Sequence, residues 1–549
     1  MDVQGPGFGR WFTWGVATGV LAWASTASAQ QAAEPEAAPL AAEQVVVAIP
    51  AAPTEAVVVP DIFKNVPVPR AAPRAGSFPI LPTGPGAYSL LDDLRGDVLA
   101  GPPKYPYPRF ALMGPSYFDA DFRYLDDPKN TESDFYDPLK RVRVGDNWMF
   151  STGGSLWNRY VSEGDSRLGL KNNTYDLARA RIFGDLWYRD QVRIYAEFIG
   201  AYTGGQDLAP LPIDQNRADF LNLFLDLKIG EWAGKPAYLR VGRQELNFGS
   251  QRLVSTLDWA NTRRTFQGVR AFHQSEKVDV DLFWVKPVLI KPSHLDNWDT
   301  NQNFAGIHTT TRPAKGQAVD LYYYYTDNAN AIVQQKVQRA PNVLNTFGGR
   351  YAGDKDGAFL WDFETAMQLG ALNGQSVVAG MATAGLGYHF KDAPLNPTFW
   401  AYYDYASGDS SPNVGTAHTF NQLFPFGHYY LGWADQVARQ NIQDFNLHMY
   451  VYPTKWLTVW VQYHNFWLAA KQDALYNAGG NAIRRDATGK AGSHVGQEVD
   501  LVFNFHLTKH ADLLTGYSHL YGGEFLRNTA GATGSINNSL YYLQMNYRW

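Results

Sequence analysis

The sequence predicts an all-β protein, a transmembrane antiparallel β-barrel of about 18 strands behind a Pro/Ala-rich N-terminal segment. Three observations carry that expectation. Apolar and polar residues alternate with a period of two over most of the chain beyond residue 148, the segments are long, and an apolar run with a cleavage-like end opens the sequence. Mean hydropathy is −0.31 although 45% of the residues are hydrophobic and 15% aromatic. Apolar residues must therefore be interleaved with polar ones rather than gathered in blocks.

In chain order, Arg10 closes a short leader and Trp11 to Trp23 is mostly apolar. Ala27-Ser28-Ala29 then gives a small-x-small cleavage site, so residues 1–29 read as a signal peptide for export. That run falls short of the roughly 20 apolar residues a membrane helix needs. Of 31 prolines, 19 lie before residue 147. Residues 30–86 are dominated by Ala, Pro, Val and Glu and read as a disordered linker, because such a composition buries too little apolar surface to offset its ordering entropy. Aromatics return in residues 87–147, as in Tyr105-Pro106-Tyr107 and Tyr117-Phe118, which predicts an irregular docked or periplasmic segment.

Residues 148–549 are expected to form the barrel. Phe220 to Lys228 sets Leu221, Leu223, Leu225 and Leu227 against Asn222, Asp226 and Lys228, and Val278 to Val285 sets Val280, Leu282 and Trp284 against Asp279 and Asp281. In Gln497 to Phe505, Val499, Leu501 and Phe503 alternate with Glu498, Asp500 and Asn504. Such segments begin near residues 148, 174, 191, 218, 237, 265, 277, 302, 316, 343, 358, 375, 397, 441, 455, 496, 510 and 538. Several are 10 to 14 residues long, longer than usual soluble strands but suited to tilted membrane strands of about 9–11 residues. Tight connectors such as Arg189-Asp190 and Thr508-Lys509 contrast with long ones such as Ser407 to Asn441, matching periplasmic turns and extracellular loops. Trp187-Tyr188, Trp456, Trp467 and Tyr541-Tyr542 sit near segment ends, where an aromatic girdle forms, and the chain finishes on alternating residues closed by Trp549.

Placing the apolar parity in lipid turns Arg159, Arg179, Arg181, Arg193, Arg240, Arg270 and Arg350 toward the lumen. The first six lie on early segments together with the inward acids Asp185, Glu197 and Asp226, and Arg179, Arg181, Arg193, Arg240 and Arg270 have few acids between them, which predicts a locally positive wall for an anionic substrate. The acids Asp320, Asp362, Glu364, Asp404, Asp444, Glu498 and Asp500 collect on later segments. A net charge of −5 with no basic cluster argues against nucleic-acid binding. Absence of Cys removes disulfides, thiolate metal sites and Cys nucleophiles. The twelve histidines lack metal-ligand spacing, hydrolase and nucleotide-binding motifs are missing, and Asp362 with Glu364, two apart on one strand face, has a spacing a glycosidase pair could use, although acid pairs on lumen faces also serve solvation alone. No enzyme activity, cofactor or metal is expected.

The densest stretch runs Leu239-Arg240-Val241-Gly242-Arg243-Gln244-Glu245-Leu246, then Gln251-Arg252-Leu253, Trp259, Arg264 and Phe266-Gln267-Gly268-Val269-Arg270. With Tyr405-Ala406-Ser407-Gly408-Asp409 and Gly516-Tyr517-Ser518-His519, it resembles the alginate export family of outer-membrane barrels over residues 148 to 549. Arg240, Arg243, Gln244, Glu245, Arg252, Arg264 and Arg270 match that family's motif positions. The resemblance implies an 18-stranded barrel in the outer membrane of a Gram-negative cell, passing an anionic polysaccharide through an arginine-lined constriction. Its implied partners are that polysaccharide, outer-membrane lipid and periplasmic secretion components. A general porin for small, including anionic, solutes is the alternative, because strand patterning is the same for both.

Overall fold

The computed structural model describes residues 61–66, 79–107 and 116–549. The signal-peptide expectation and most of the linker expectation lie outside the described residues. Eighteen strands form a closed antiparallel meander. They are β1 (Trp148–Gly164), β2 (Asn173–Tyr188), β3 (Val192–Gly204), β4 (Asn216–Trp232), β5 (Lys235–Gln244) and β6 (Phe266–Gln274). Next come β7 (Val278–Leu289), β8 (Gln302–Thr311), β9 (Gln317–Gln334), β10 (Val337–Lys355), β11 (Phe359–Leu372) and β12 (Gln375–His389). The last six are β13 (Thr398–Ala406), β14 (Ile442–Thr454), β15 (Leu457–Leu468), β16 (His494–His506), β17 (Ala511–Gly522) and β18 (Asn538–Arg548). Each pairs with its successor, and β1 pairs with β18 from Ser155↔Arg548 to Gly164↔Ser539, so the sheet has no open edge. Closure is what allows strands to cross a bilayer, since every backbone donor and acceptor is then used within the sheet.

Strand starts fall within a few residues of those read from the alternation, the largest shift being Val337 in place of residue 343. β9 and β10, at 18 and 19 residues, run well past the length a bilayer requires. Beyond Asn328 their ladder changes register, so the local period that marks a strand start is lost there. In β4 a bulge opposite Glu197 and Phe198 turns Leu221 inward at 2% exposure while Leu223 stays outward at 42%. The expected four-leucine face is therefore broken, because the extra residue inverts parity on one side of the bulge.

Short turns such as 189–191, 233–234 and 275–277 mark one end, and loops 205–215, 245–265, 407–441 and 469–493 mark the other. By the rule for bacterial barrels the short-turn end is periplasmic. Ring pairs, the exposed Trp148 against the partly buried Tyr188 at 4.9 Å and the exposed Tyr388 against Phe390 at 4.7 Å, decorate that rim. The outer wall carries Leu156, Ile182, Leu282, Trp284, Leu321 and Leu386, all exposed on the isolated chain and suited to lipid.

Candidate functional site

Because side chains alternate across each strand, Arg159 on β1, Arg179 and Arg181 on β2, Arg193 on β3, Arg240 on β5 and Arg270 on β6 all point into the barrel. Arg240 and Arg270 are direct register partners. Arg350 on β10 also points inward.

The expectation of few acids among these arginines is corrected by the pairing. Arg193 grips Asp185 through two bonds of 2.7 and 2.8 Å, and Arg240 grips Asp226 in the same way. Arg181 lies 2.6 Å from Glu197, Arg270 2.7 Å from Asp281, and Arg179 3.0 Å from Asp258. Arg350 bonds Asp362 at 2.7 Å and lies 3.6 Å from Asp320. Arg159 instead donates to Gln544 Oε1 and to the Trp259 carbonyl, with its guanidinium 3.5 Å from the Trp259 ring centroid. Strand-to-strand register supplies most of these carboxylates, and Asp258 arrives from a loop. Two-pronged contacts of this kind are the strongest that a guanidinium makes with a carboxylate.

The motif residues organise loop 245–265. Arg243, half-buried, donates to the Phe220 and Asp296 carbonyls at 2.8 Å each and so pins the start of the loop to its neighbours. Gln244 is fully buried at the end of β5. Glu245 accepts from Arg263 at 2.5 Å and lies 4.0 Å from Arg181. Arg252 crosses the interior to β11, reaching Asp362 at 2.8 Å and Glu364 at 3.0 Å. Both acids of the glycosidase-like pair are thus engaged by one guanidinium. Arg264 donates to the Phe424 and Pro425 carbonyls of loop 407–441.

These two loops are knitted together inside the barrel. Val254 and Phe424 form a parallel bridge, the Phe424 N–H donates to the Leu253 carbonyl at 2.8 Å, and the Tyr430 hydroxyl donates to the Ser250 carbonyl at 2.5 Å. Arg439 then ties loop 407–441 to Asp404 at 2.5 Å, and Trp433 stacks on Tyr542 with centroids 5.6 Å apart. Arg263, Arg439 and Asp258 were not singled out from the sequence. Their one signal is a charged residue within an aromatic, Gly-containing loop, and nothing local says which wall such a loop meets.

A third layer comes from the N-terminal segment. The expected linker does not extend over residues 61–66, where Phe63 and Val66 are buried against Met149, Trp187, Tyr238 and Phe272. Arg141 fixes them by donating to the Val66 and Phe63 carbonyls. The physical reason is an apolar pair, Phe63 and Val66, set three apart within an otherwise Ala/Pro-rich run. Further along, Phe118 packs edge-on against Tyr195 and Phe224 at 5.7 and 5.3 Å. Tyr117 lies under Arg181 at 4.0 Å, and the Phe118 carbonyl accepts from Arg193 at 2.8 Å. Lys140 is buried with its ammonium 4.9 Å from the Phe122 ring, and burial pulls it down to about 8. Among the described residues no group of three or more His, Asp or Glu side chains could hold a metal ion.

Comparison with known proteins adds a family. The family profile described as alginate export matches residues 149–538. No curated protein matches the chain. Among solved structures the outer membrane protein OpdK of Pseudomonas aeruginosa is similar at 11% identity and a TM-score of 0.49, over 74% of this chain and 99% of that one. OprD of the same organism is 10% identical with a TM-score of 0.47, over 72% and 94%. OccAB4 of Acinetobacter baumannii is 13% identical with a TM-score of 0.46, over 73% and 98%.

Proposed function

The chain belongs to the alginate export family as an outer-membrane channel, and on that premise we propose that its cargo is an anionic polysaccharide moving along the arginine-bearing half of the lumen. The observation that carries this reading is the Arg240↔Arg270 register. Like charges directly opposite one another weaken a sheet. Asp226 faces Arg240 from the other neighbouring strand and Asp281 bonds Arg270, so a doubled guanidinium on the lumen face offers a passing carboxylate two adjacent sites at which to share or replace a wall acid. Arg181, Arg193 and Arg179 continue that face over β2 and β3. Sugar carboxylates would exchange with the wall acids, passing from one guanidinium to the next without a binding step deep enough to stop movement.

The second reading, a porin for small solutes, is favoured by the near-complete pairing of those arginines with protein carboxylates. Efflux from liposomes separates the two. Vesicles carrying the full chain, loaded with fluorescent oligouronate or with a neutral oligoglucose of equal length, should release the oligouronate faster. Equal release, or release of monosaccharides alone, favours the porin.

A further inference from the structure

We propose that the segment containing Tyr117, Phe118 and Phe122 is a built-in plug that masks the arginine wall and must leave it before an anion can pass. This inference rests on the channel function and is independent of which anion is carried.

Exposure makes the case first. Arg181, Arg193 and Arg240 are 3%, 3% and 2% exposed, so no solute reaches them in this arrangement. The segment contributes to their cover on the lumen side, joined at Arg181 by Glu245 of loop 245–265. The Arg240 guanidinium lies between two rings, 3.6 Å from the Phe224 centroid and 4.5 Å from that of Phe118. Arg181 is capped by Tyr117 and Arg193 by the Phe118 carbonyl. One face of each site belongs to the barrel wall and the segment lies across the other.

The contacts chosen are those that can be given up. Ring faces and a neutral carbonyl satisfy a guanidinium, yet each is a weaker partner than a carboxylate. None of the three arginines depends on the segment for its charge partner, because Glu197, Asp185 and Asp226 all lie on barrel strands. Withdrawal of the segment therefore leaves the wall's ion pairs intact while exposing their open sides. A segment needed only to complete the fold would be expected to supply the carboxylates itself.

The segment's rings pack on Phe183, Tyr195 and Phe224 of the inner wall, and its attachment beyond them is a polar clasp at the rim. Near the short-turn end, His510 bonds Asp134 at 2.7 Å and Tyr136 shares a hydroxyl bond of 2.7 Å with Tyr547. Lys455 donates to the Thr83 and Gly84 carbonyls. These are polar, partly exposed contacts, the class that opens with little free energy. The barrel closes through β1 and β18 without any strand from this segment.

Absence of native Cys permits a direct test in the full chain. Phe118→Cys and Phe224→Cys are combined and bridged by a short reversible bis-methanethiosulfonate, and ion current in potassium chloride is read in a planar bilayer before and after reduction. Heat-modifiable gel mobility confirms that each variant is an assembled barrel. The plug predicts low current when bridged and a several-fold rise on reduction, with Tyr117→Ala/Phe118→Ala behaving like the reduced form. Equal current in the bridged and reduced states overturns the plug, whether that shared level is high or low. Because the probe is a small salt, failure of polysaccharide export leaves this result standing, and a current switch without oligouronate preference separates the two readings.

Discussion

Arg240 and Arg270 stand directly opposite one another on neighbouring strands, and each turns to a different carboxylate, Asp226 on one side and Asp281 on the other. The acids act as outward anchors that let two like charges share the lumen face. Asp226 also lies 3.7 Å from Arg193, so one carboxylate serves two guanidinium groups.

Removing that anchor should be costly. Asp226→Asn leaves the buried Arg240 without its countercharge, while Arg193 keeps Asp185, and about 3–5 kcal/mol is typical for such a loss. The expected outcome is a lower urea midpoint for loss of the folded, heat-modifiable barrel. Asp226→Leu/Arg240→Met should recover much of the loss, since an apolar pair of similar volume is often neutral. A single variant as stable as the parent would show that solvent already reaches the pair.

Arg252 is the link between loop 245–265 and the far wall. Arg252→Ala should free that loop and leave Asp362 with Arg350 and Glu364 with Tyr322. We expect larger and noisier bilayer current together with faster cleavage within 245–265 by added protease. Arg243→Ala, which breaks carbonyl contacts at the rim of the same loop, should have the smaller effect. Identical traces for both variants would mean that the remaining contacts, among them the Val254–Phe424 bridge and the Ser250–Glu364 hydrogen bond, hold the loop.

Lys140 makes docking of the N-terminal segment depend on pH. Its ammonium titrates near 8 when buried, with burial as the largest cause, against 10.5 in its ordinary state. A docked pKa below the released one means that docking expels a proton between those values. Docking therefore strengthens as pH rises from about 8 to 10.5, by up to tenfold per pH unit, and is weakest below 8. Protection of residues 116–147 from protease should follow that curve. Lys140→Met should flatten it and protect the segment more strongly at pH 7; an unchanged slope in that variant would assign the effect to other groups.

Much of the barrel was legible because a strand with one lipid face and one lumen face writes its period into the sequence. Val499 and Leu501 outward with Glu498 and Asp500 inward can be read without any neighbour. Partners were not legible. Glu197 beside Arg181 follows from strand register, whereas Asp258 beside Arg179 depends on a loop returning through the interior. Periodicity describes a residue's facing and not what stands across from it, so the inward arginines and the inward Asp185, Glu197 and Asp226 were legible, while which acid meets which arginine was not. The burial of Phe63 and Val66 was hidden for a related reason: two apolar residues in a Pro/Ala-rich run gain meaning only from the pocket formed by Trp187, Tyr238 and Phe272.

The most direct test of anion passage along the arginine wall is block of bilayer current by an added oligouronate. It is best read in the Tyr117→Ala/Phe118→Ala background, where the wall at Arg181, Arg193 and Arg240 is predicted to be open. Oligouronate should block at far lower concentration than a neutral oligoglucose of equal length. Arg179→Ser/Arg240→Ser/Arg270→Ser should raise the blocking concentration by about tenfold or more, since each shielded contact to a carboxylate contributes about 1–3 kcal/mol. Equal block by the charged and neutral sugars, or block unchanged by the triple substitution, would contradict the account and leave these arginines as braces of the barrel wall.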